Sequence, residues 1–262
     1  MKGDKLMPAL FVGHGTPMNG IEDNIFSRGW TQIAQTLPRP RSIVCVSAHW
    51  ETDGTRVTAM KEPRTIHDFG GFPPQLYKVK YPAPGSPVLA RRVADLTGAA
   101  LDESWGLDHG CWVVLRRMFP DADIPVVQLS LDYGADPRRH FEIGAQLKAL
   151  RSEGVLVVAS GNIVHNLGLV EVRGEDFNEP FGFDWAVEAD RKFRTLAESR
   201  RYEDLFDYWT LGRAAQLAVP TPEHFLPMLY ALALRGGDEP LTWFNDQPVA
   251  GSLTMTSFVV GA

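Results

Sequence analysis

The chain has 262 residues, 44% hydrophobic and 22% charged, which is enough apolar content to bury a sizeable core and too much for a disordered or fibrous chain. Its formal charge of −6 argues against a general polyanion binder, because affinity for nucleic acid comes from clustered Lys and Arg that release counterions. The pairs Arg91-Arg92, Arg116-Arg117, Arg138-Arg139 and Arg200-Arg201 are isolated and read as solvated helix faces. No run approaches the roughly 18 apolar residues of a membrane span, and the N-terminal apolar stretch is too short for a signal-peptide core. The two cysteines, Cys45 and Cys111, give no disulfide framework, so a reducing cytoplasm is the expected compartment. With no linker, charge block or internal repeat, one domain over 1–262 is expected, and nothing marks an oligomeric state.

Ala9-Leu10-Phe11-Val12 is a short apolar strand closed by glycine, and the segment from Asn24 to Leu37 has helical character with a stop at Pro38. Ser42 to Ser47 is almost wholly apolar and β-branched, as a strand buried on both faces requires, and its end delivers His49. Arg56 to Met60 reads as another strand. The stretch 61–85, rich in proline and aromatics, is too long for an ordinary connection and predicts a lid or pocket wall. Ser86-Pro87 opens a helix that Gly98 closes, and Gly110 to Phe119 predicts a second, before a strand over Pro125 to Leu129.

Asp136-Pro137 is a helix N-cap followed by a first-turn proline, after which Ile143, Leu147 and Leu150 recur at helical spacing up to Gly154. His140 falls at this helix start and is expected at the surface. Val155 to Ser160 is the next apolar strand, delivering His165 through Gly161-Asn162. Trp185, Ala189, Phe193 and Leu196 mark a core helix stripe, and Pro222 to Leu234 predicts a helix with His224 in its first turn. Leu241 to Asn245 and Leu253 to Val260 read as a closing hairpin. Strands alternating with helices imply an α/β fold, a single domain with a central largely parallel or mixed sheet flanked by helices. Ligands of such sheets gather beyond the strand C-termini.

Four of the seven histidines fall at or near such ends: Gly13-His14-Gly15, Ser47-Ala48-His49-Trp50, Val164-His165-Asn166 and Pro222-Glu223-His224. Histidine is the commonest metal ligand and titrates near neutral pH, so the set reads as a metal centre with an acid/base partner.

Six blocks, in order over nearly the whole chain, carry a more specific likeness. They are His-Gly-Thr-Pro at 14–17, Ser-Ala-His-Trp at 47–50, Thr-Ile-His-Asp-Phe-Gly-Gly-Phe-Pro at 65–73, Leu-Asp-His-Gly at 107–110, Val-His-Asn-Leu at 164–167 and Pro-Glu-His-Phe-Leu-Pro at 222–227. With them the chain resembles the LigB-like class III extradiol ring-cleavage dioxygenases, in their 4,5-DOPA branch. The resemblance implies a mononuclear non-haem Fe(II) enzyme that opens a catechol ring beside a hydroxyl with O2, with Zn(II) a plausible occupant of purified protein. Its metal ligands would be His14, His49 and His224, its acid/base His165, and its substrate-contacting histidine His109. Many relatives in the wider class use two histidines and a carboxylate, so Glu223 competes with His224 for the third position. Neighbours in a helix point about 100° apart, so only one of the two faces the ion, and His224 is favoured.

His67, in the proline-rich stretch, either reaches substrate or caps a turn with Asp68. Trp50, Phe69, Phe72 and Tyr77 offer an aromatic slot for a planar ring, and Arg64 a clamp for a carboxylate tail. Two other readings stay open: a zinc hydrolase on the same three histidines, and a non-catalytic interaction protein like the Memo-like relatives.

Overall fold

Four of the strands expected from the sequence form the parallel centre of one eight-stranded sheet, in a computed structural model that describes residues 6–174 and 176–261. In chain order the strands are β1 (Ala9–Gly13), β2 (Ser42–Thr52), β3 (Arg56–Thr58), β4 (Ala100–Asp102), β5 (Val126–Asp132), β6 (Val155–Gly161), β7 (Leu241–Phe244), β8 (Pro248–Val249), β9 (Leu253–Thr254) and β10 (Ser257–Val260). The large sheet runs β4-β3-β5-β2-β6-β1-β10-β7. Its centre, β5-β2-β6-β1, is all parallel, while β3 against β5, β10 against β1 and β7 against β10 are antiparallel. The sheet is therefore mixed.

Helices cover both faces, which is why the central strands are buried on both sides and mostly apolar rather than alternating. On one face α1 (Ile25–Thr36) packs Phe26 and Trp30 against Leu10, Val12, Ile43 and Cys45. On the other, α2 (Pro87–Thr97) packs Leu89 and Val93 in the core that holds Phe11, Val44 and Val46. α3 (His109–Met118) joins α1, whereas α4 (Pro137–Gln146), α5 (Asp184–Glu198), α6 (Tyr202–Phe206), α7 (Arg213–Ala218) and α8 (Leu226–Ala233) add buried residues to the opposite side. Helix ends fall where the capping chemistry places them. Asn24 accepts from Phe26 and Ser27 N–H at α1, Ser86 caps α2 before Pro87, and Gly98 closes α2 at φ 76°. No described helix is long and apolar enough to cross a membrane.

Several expectations are corrected. β2 does not stop at Ser47 but continues to Thr52, with an irregularity that jumps its register from Val46 opposite Leu129 to Glu51 opposite Leu131. The closing segment splits, because the chain breaks at Met255 to press its backbone on Gly13, where a Cβ would lie 2.7 Å from the Met255 carbonyl carbon. β10 then pairs with β7 as expected, while β8 and β9 form a separate small hairpin. His140 is buried, its Nδ1 3.0 Å from the Tyr230 hydroxyl, because it starts the 140-143-144-147 stripe that packs α4 on α8. Arg116 and Arg117 are half-buried: they donate to the carbonyls of Gly20, Asn19 and Glu22, holding the turn after β1 onto the end of α3.

α8 also begins later than expected, at Leu226 with Pro227 in its first turn, so His224 lies in the turn before the helix. That turn is docked on β6. Asn162 N–H donates to the His224 carbonyl at 2.8 Å, and Gly161 leaves room for it, since a Cβ there would sit 2.2 Å from the same oxygen. Gly161→Ala must push the 221–225 turn off the sheet, at a cost of about 1–3 kcal/mol for overpacking. A clear fall in melting temperature is the expected outcome, and an unchanged one would contradict the contact.

Candidate metal centre

Three imidazoles from distant stretches meet at the C-terminal edge of the parallel strands. His14 follows β1 directly, its N–H still bonded to the Gly161 carbonyl at 3.1 Å before Gly15 turns the chain at φ 60°. His49 is carried into the same space by the irregular part of β2, as bulges re-aim side chains. Gly110 gives it room: a Cβ there would meet His49 Cδ2 at 2.9 Å and Ser47 Oγ at 2.5 Å. His224 arrives on the docked turn. One ring nitrogen from each lies within 4.8 Å of the others, and Nε2 of His14 is 3.0 Å from Nε2 of His49.

The outer nitrogens show which way the rings are protonated. Ser160 Oγ donates its one proton to the Gly110 carbonyl at 2.5 Å, so toward His14 Nδ1, 3.0 Å away, it accepts. His14 therefore carries its proton on Nδ1 and presents a bare Nε2. Glu223 Oε1 accepts from His224 Nδ1 at 3.0 Å and fixes that ring in the same way. Asp68 Oδ2 stands 3.5 Å from Nδ1 of His49. The bare Nε2 of His14 meets Nε2 of His49 either as the acceptor of its N–H or, when both are bare, across a shared cation; nitrogens bound to Zn(II) at 2.0–2.1 Å in a tetrahedral shell would be roughly 3.4 Å apart. The donor set thus fits a divalent metal, with outer carboxylate and hydroxyl partners of the kind that orient ligating histidines. Glu223 faces the outer edge of His224.

Two further histidines flank the trio. The His165 ring lies flat on His224, centroids 3.5 Å apart and planes 7° from parallel, and His109 stands 3.8 Å from His49. All five rings line one cavity of about 590 Å³. Phe69, Phe72, Phe177, Leu167 and Leu253 give it apolar walls, and Glu22, Asp68 and Asp176 are its carboxylates. Phe69 and Phe72 meet edge to face at 5.3 Å.

The remaining aromatics stand elsewhere. Trp50 is buried in a stack on Trp105, rings 2° from parallel, outside the cavity lining. His67 also lies outside it, with Nε2 3.0 Å from the Val79 carbonyl and its ring against Trp112. Tyr77 is not part of the lining either, and Arg64 donates to the Ser104 carbonyl instead of facing the cavity. The proline-rich stretch is a fixed wall. Ile66 N–H bonds the Leu107 carbonyl, Leu107 N–H bonds the Arg64 carbonyl, and Trp112 Nε1 bonds the Ile66 carbonyl, at 2.7, 2.9 and 2.8 Å. Sequence reasoning missed Ser160, the orienting place of Glu223 and above all Asp68, whose signal was its position beside His67 in the His-Asp-Phe block.

An α/β sandwich that gathers imidazoles under an aromatic wall at its strand ends is built as a metal enzyme for a small planar ligand. Residues 8–259 match the family described as the catalytic LigB subunit of aromatic ring-opening dioxygenase, and the chain belongs to that family. It is an extradiol ring-opening dioxygenase with a metal centre, acting on an aromatic substrate with O2. The chain is 49% identical to a 4,5-DOPA dioxygenase extradiol of Escherichia coli K12, over 97% of this chain and 95% of that one. It is 38% identical to the protein of the same name from Beta vulgaris, over 97% of each. A crystal structure of an uncharacterized protein from E. coli K12 superposes with a TM-score of 0.83 at 44% identity, covering 97% of this chain and all of the other.

Burial, more than any other cause, holds His14, His49 and His224 well below the ordinary imidazole range, with mutual repulsion adding to it. His165 is pushed down to about 4, again mainly by burial, with Glu223 opposing. Between about pH 4 and 6.5 His165 binds fewer protons folded than unfolded, and the other three are shifted in the same direction. Their contribution to stability is present above pH 6.5 and is lost as the pH falls. The metal-free protein should lose stability on acidification through that window, by at most about 1.4 kcal/mol per pH unit for each such histidine. His165→Gln should flatten the profile, as read by melting temperature against pH.

Proposed function

We propose that the protein opens a catechol, DOPA-like or related, beside one of its hydroxyls, at a single Fe(II) held by His14, His49 and His224. The convergence of their three nitrogens inside an aromatic-walled cavity is the observation that carries this reading. When bound, Fe(II) supplies redox activity and open positions for the catechol oxygens and O2. Zn(II) suits the same nitrogens and is the expected occupant of protein purified without iron. The two relatives named 4,5-DOPA dioxygenase extradiol support the DOPA-like substrate, and so does the cavity. Among the described residues its lining holds carboxylates but no Lys or Arg, which suits a tail that carries an ammonium.

The chain's own residues hold the ring and move protons. Phe69 and Phe72 offer an apolar wall that shuts water from the ring and leaves its hydroxyls to the polar floor. His165, beside the trio, is the acid/base. Neutral at rest, it can accept a proton from a catechol hydroxyl, and its low pKa makes the resulting imidazolium a strong acid that returns the proton readily. His109 faces the same cavity and contacts substrate. Neither His67 nor Trp50 lines that space: His67 backs Phe69 edge to face, whereas Trp50 stacks on Trp105. Two buried free thiols, Cys45 and Cys111, suit a reducing cytoplasm.

Loading the protein anaerobically with Fe(II) and then adding DOPA and air should give oxygen uptake with a new yellow absorbance. Activity confined to the zinc form, on esters or amides and without oxygen, would defeat the reading. His14→Ala, His49→Ala and His224→Ala should each lose metal. His165→Ala should retain it while turnover drops by about 10²–10⁴, the usual worth of a positioned acid/base. Metal analysis beside oxygen consumption separates the two classes.

A further inference from the structure

Asp68 projects from the proline-rich wall to the N-terminus of α3 and uses its two oxygens differently. Oδ1 accepts the backbone N–H of His109 at 2.9 Å, and Oδ2 faces Nδ1 of the same residue at 2.8 Å. Among the described residues no Lys or Arg lies within ion-pairing distance of this carboxylate; its charged-group contacts are His109 and His49. The stretch that leads to Asp68 is anchored by bonds that do not involve the His109 ring. They are the backbone pairs that stitch 64–66 to 107 and the bond of the Trp112 indole to the Ile66 carbonyl.

We propose that Asp68 is a positioning residue for the ring-opening reaction: it locks the His109 ring with Nδ1 as donor, leaving Nε2 as an acceptor for a substrate hydroxyl. A carboxylate only accepts hydrogen bonds, so the nitrogen facing it must carry the proton, and in the neutral ring the other nitrogen is then a lone pair. Among the described hydrogen bonds no protein group occupies Nε2, and the ring lines the cavity. His165 differs. Among the same bonds its side chain makes none, so its ring is free to take either tautomer as protons move. The two histidines divide the work, His109 as a fixed acceptor that orients the diol and His165 as the group that exchanges protons.

The inference rests on the proposed dioxygenase function, and its first test needs no turnover. In the zinc-loaded full-length protein labelled with ¹⁵N-histidine, NMR should show the His109 proton on Nδ1. Asp68→Asn places an amide donor against that nitrogen and should move the proton to Nε2. In the iron-loaded enzyme Asp68→Asn should keep its metal and lower kcat by about 10- to 100-fold, the usual cost of removing an orienting partner. Combining it with His109→Gln should cost no more than His109→Gln alone, because residues that act as one unit are not additive.

A wild-type His109 protonated on Nε2, an unchanged spectrum in Asp68→Asn, or losses that multiply in the double variant would overturn the proposal. Loss of metal from Asp68→Asn would overturn it too, by showing that the carboxylate serves His49. A wild-type enzyme that opens no catechol would sink the dioxygenase reading, while the tautomer result would still stand or fall by itself.

Discussion

The rest of the structure depends on holding bare nitrogen lone pairs close together. Two imidazole nitrogens 3.0 Å apart are an unfavourable arrangement when both are bare, and a shared cation makes it favourable. The protein prepares two of the three rings for it by fixing them from behind. Ser160 can only accept from His14 because its own proton goes to Gly110, and Glu223 can only accept from His224. Burial then disfavours the protonated rings, which would otherwise relieve the repulsion without metal.

The sheet explains how residues so far apart in sequence can be set this accurately. β6 lies between β1 and β2, so His14 and His49 rise from strands on either side of it, and Ser160 on β6 reaches the first. The 221–225 turn adds the third ring by seating its carbonyl where Gly161 has no side chain. α3 contributes from the same edge. Its N-cap Asp108 is buried, its carboxyl pushed up to about 6 chiefly by that burial. Asp108 accepts from Ser47 Oγ at 2.7 Å and from the Cys111 N–H at 3.1 Å, and takes a bond from Gln128 as well. One carboxyl thereby ties β2, β5 and the helix that bears His109.

Most of this framework was legible because it rests on local chemistry. Asn24, Ser86-Pro87, Gly98 and Asp136-Pro137 mark helix ends that the backbone obeys, and the apolar runs at 9–12, 42–47 and 155–160 are the parallel core. Where the reading departed, tertiary contacts decided. His140 looked like a surface residue between arginines, but it begins the stripe that meets α8. The break at Met255 answers to Gly13, over 240 positions away, and no periodicity reports such a contact. The histidines could be named from their blocks. The partners that set their tautomers could not, because Ser160 and Asp68 are ordinary residue types until the fold brings them to a ring.

The fixed wall has a consequence for substrate handling. A mobile lid would let the ring enter first and be gripped afterwards, whereas the 64–68 stretch is bonded to 107–112 and carries both Asp68 and Phe69. The same stretch therefore shapes the aromatic wall and sets the polarity of His109, so fit and hydrogen bonding are coupled through one piece of backbone. A planar ring that lies against Phe69 meets a nitrogen already prepared to accept. Such preorganisation removes the reorganisation that solvent would require, because the partner dipoles are fixed before the reacting groups arrive. The opposite flank is built otherwise: His165, stacked on His224, has no side-chain bond to hold its proton in place among the described residues. On the proposed function, a site that must first orient a diol and then move its protons needs both kinds of histidine. The fold offers His109 from the start of α3 and His165 from the turn after β6, on either side of the three clustered imidazoles.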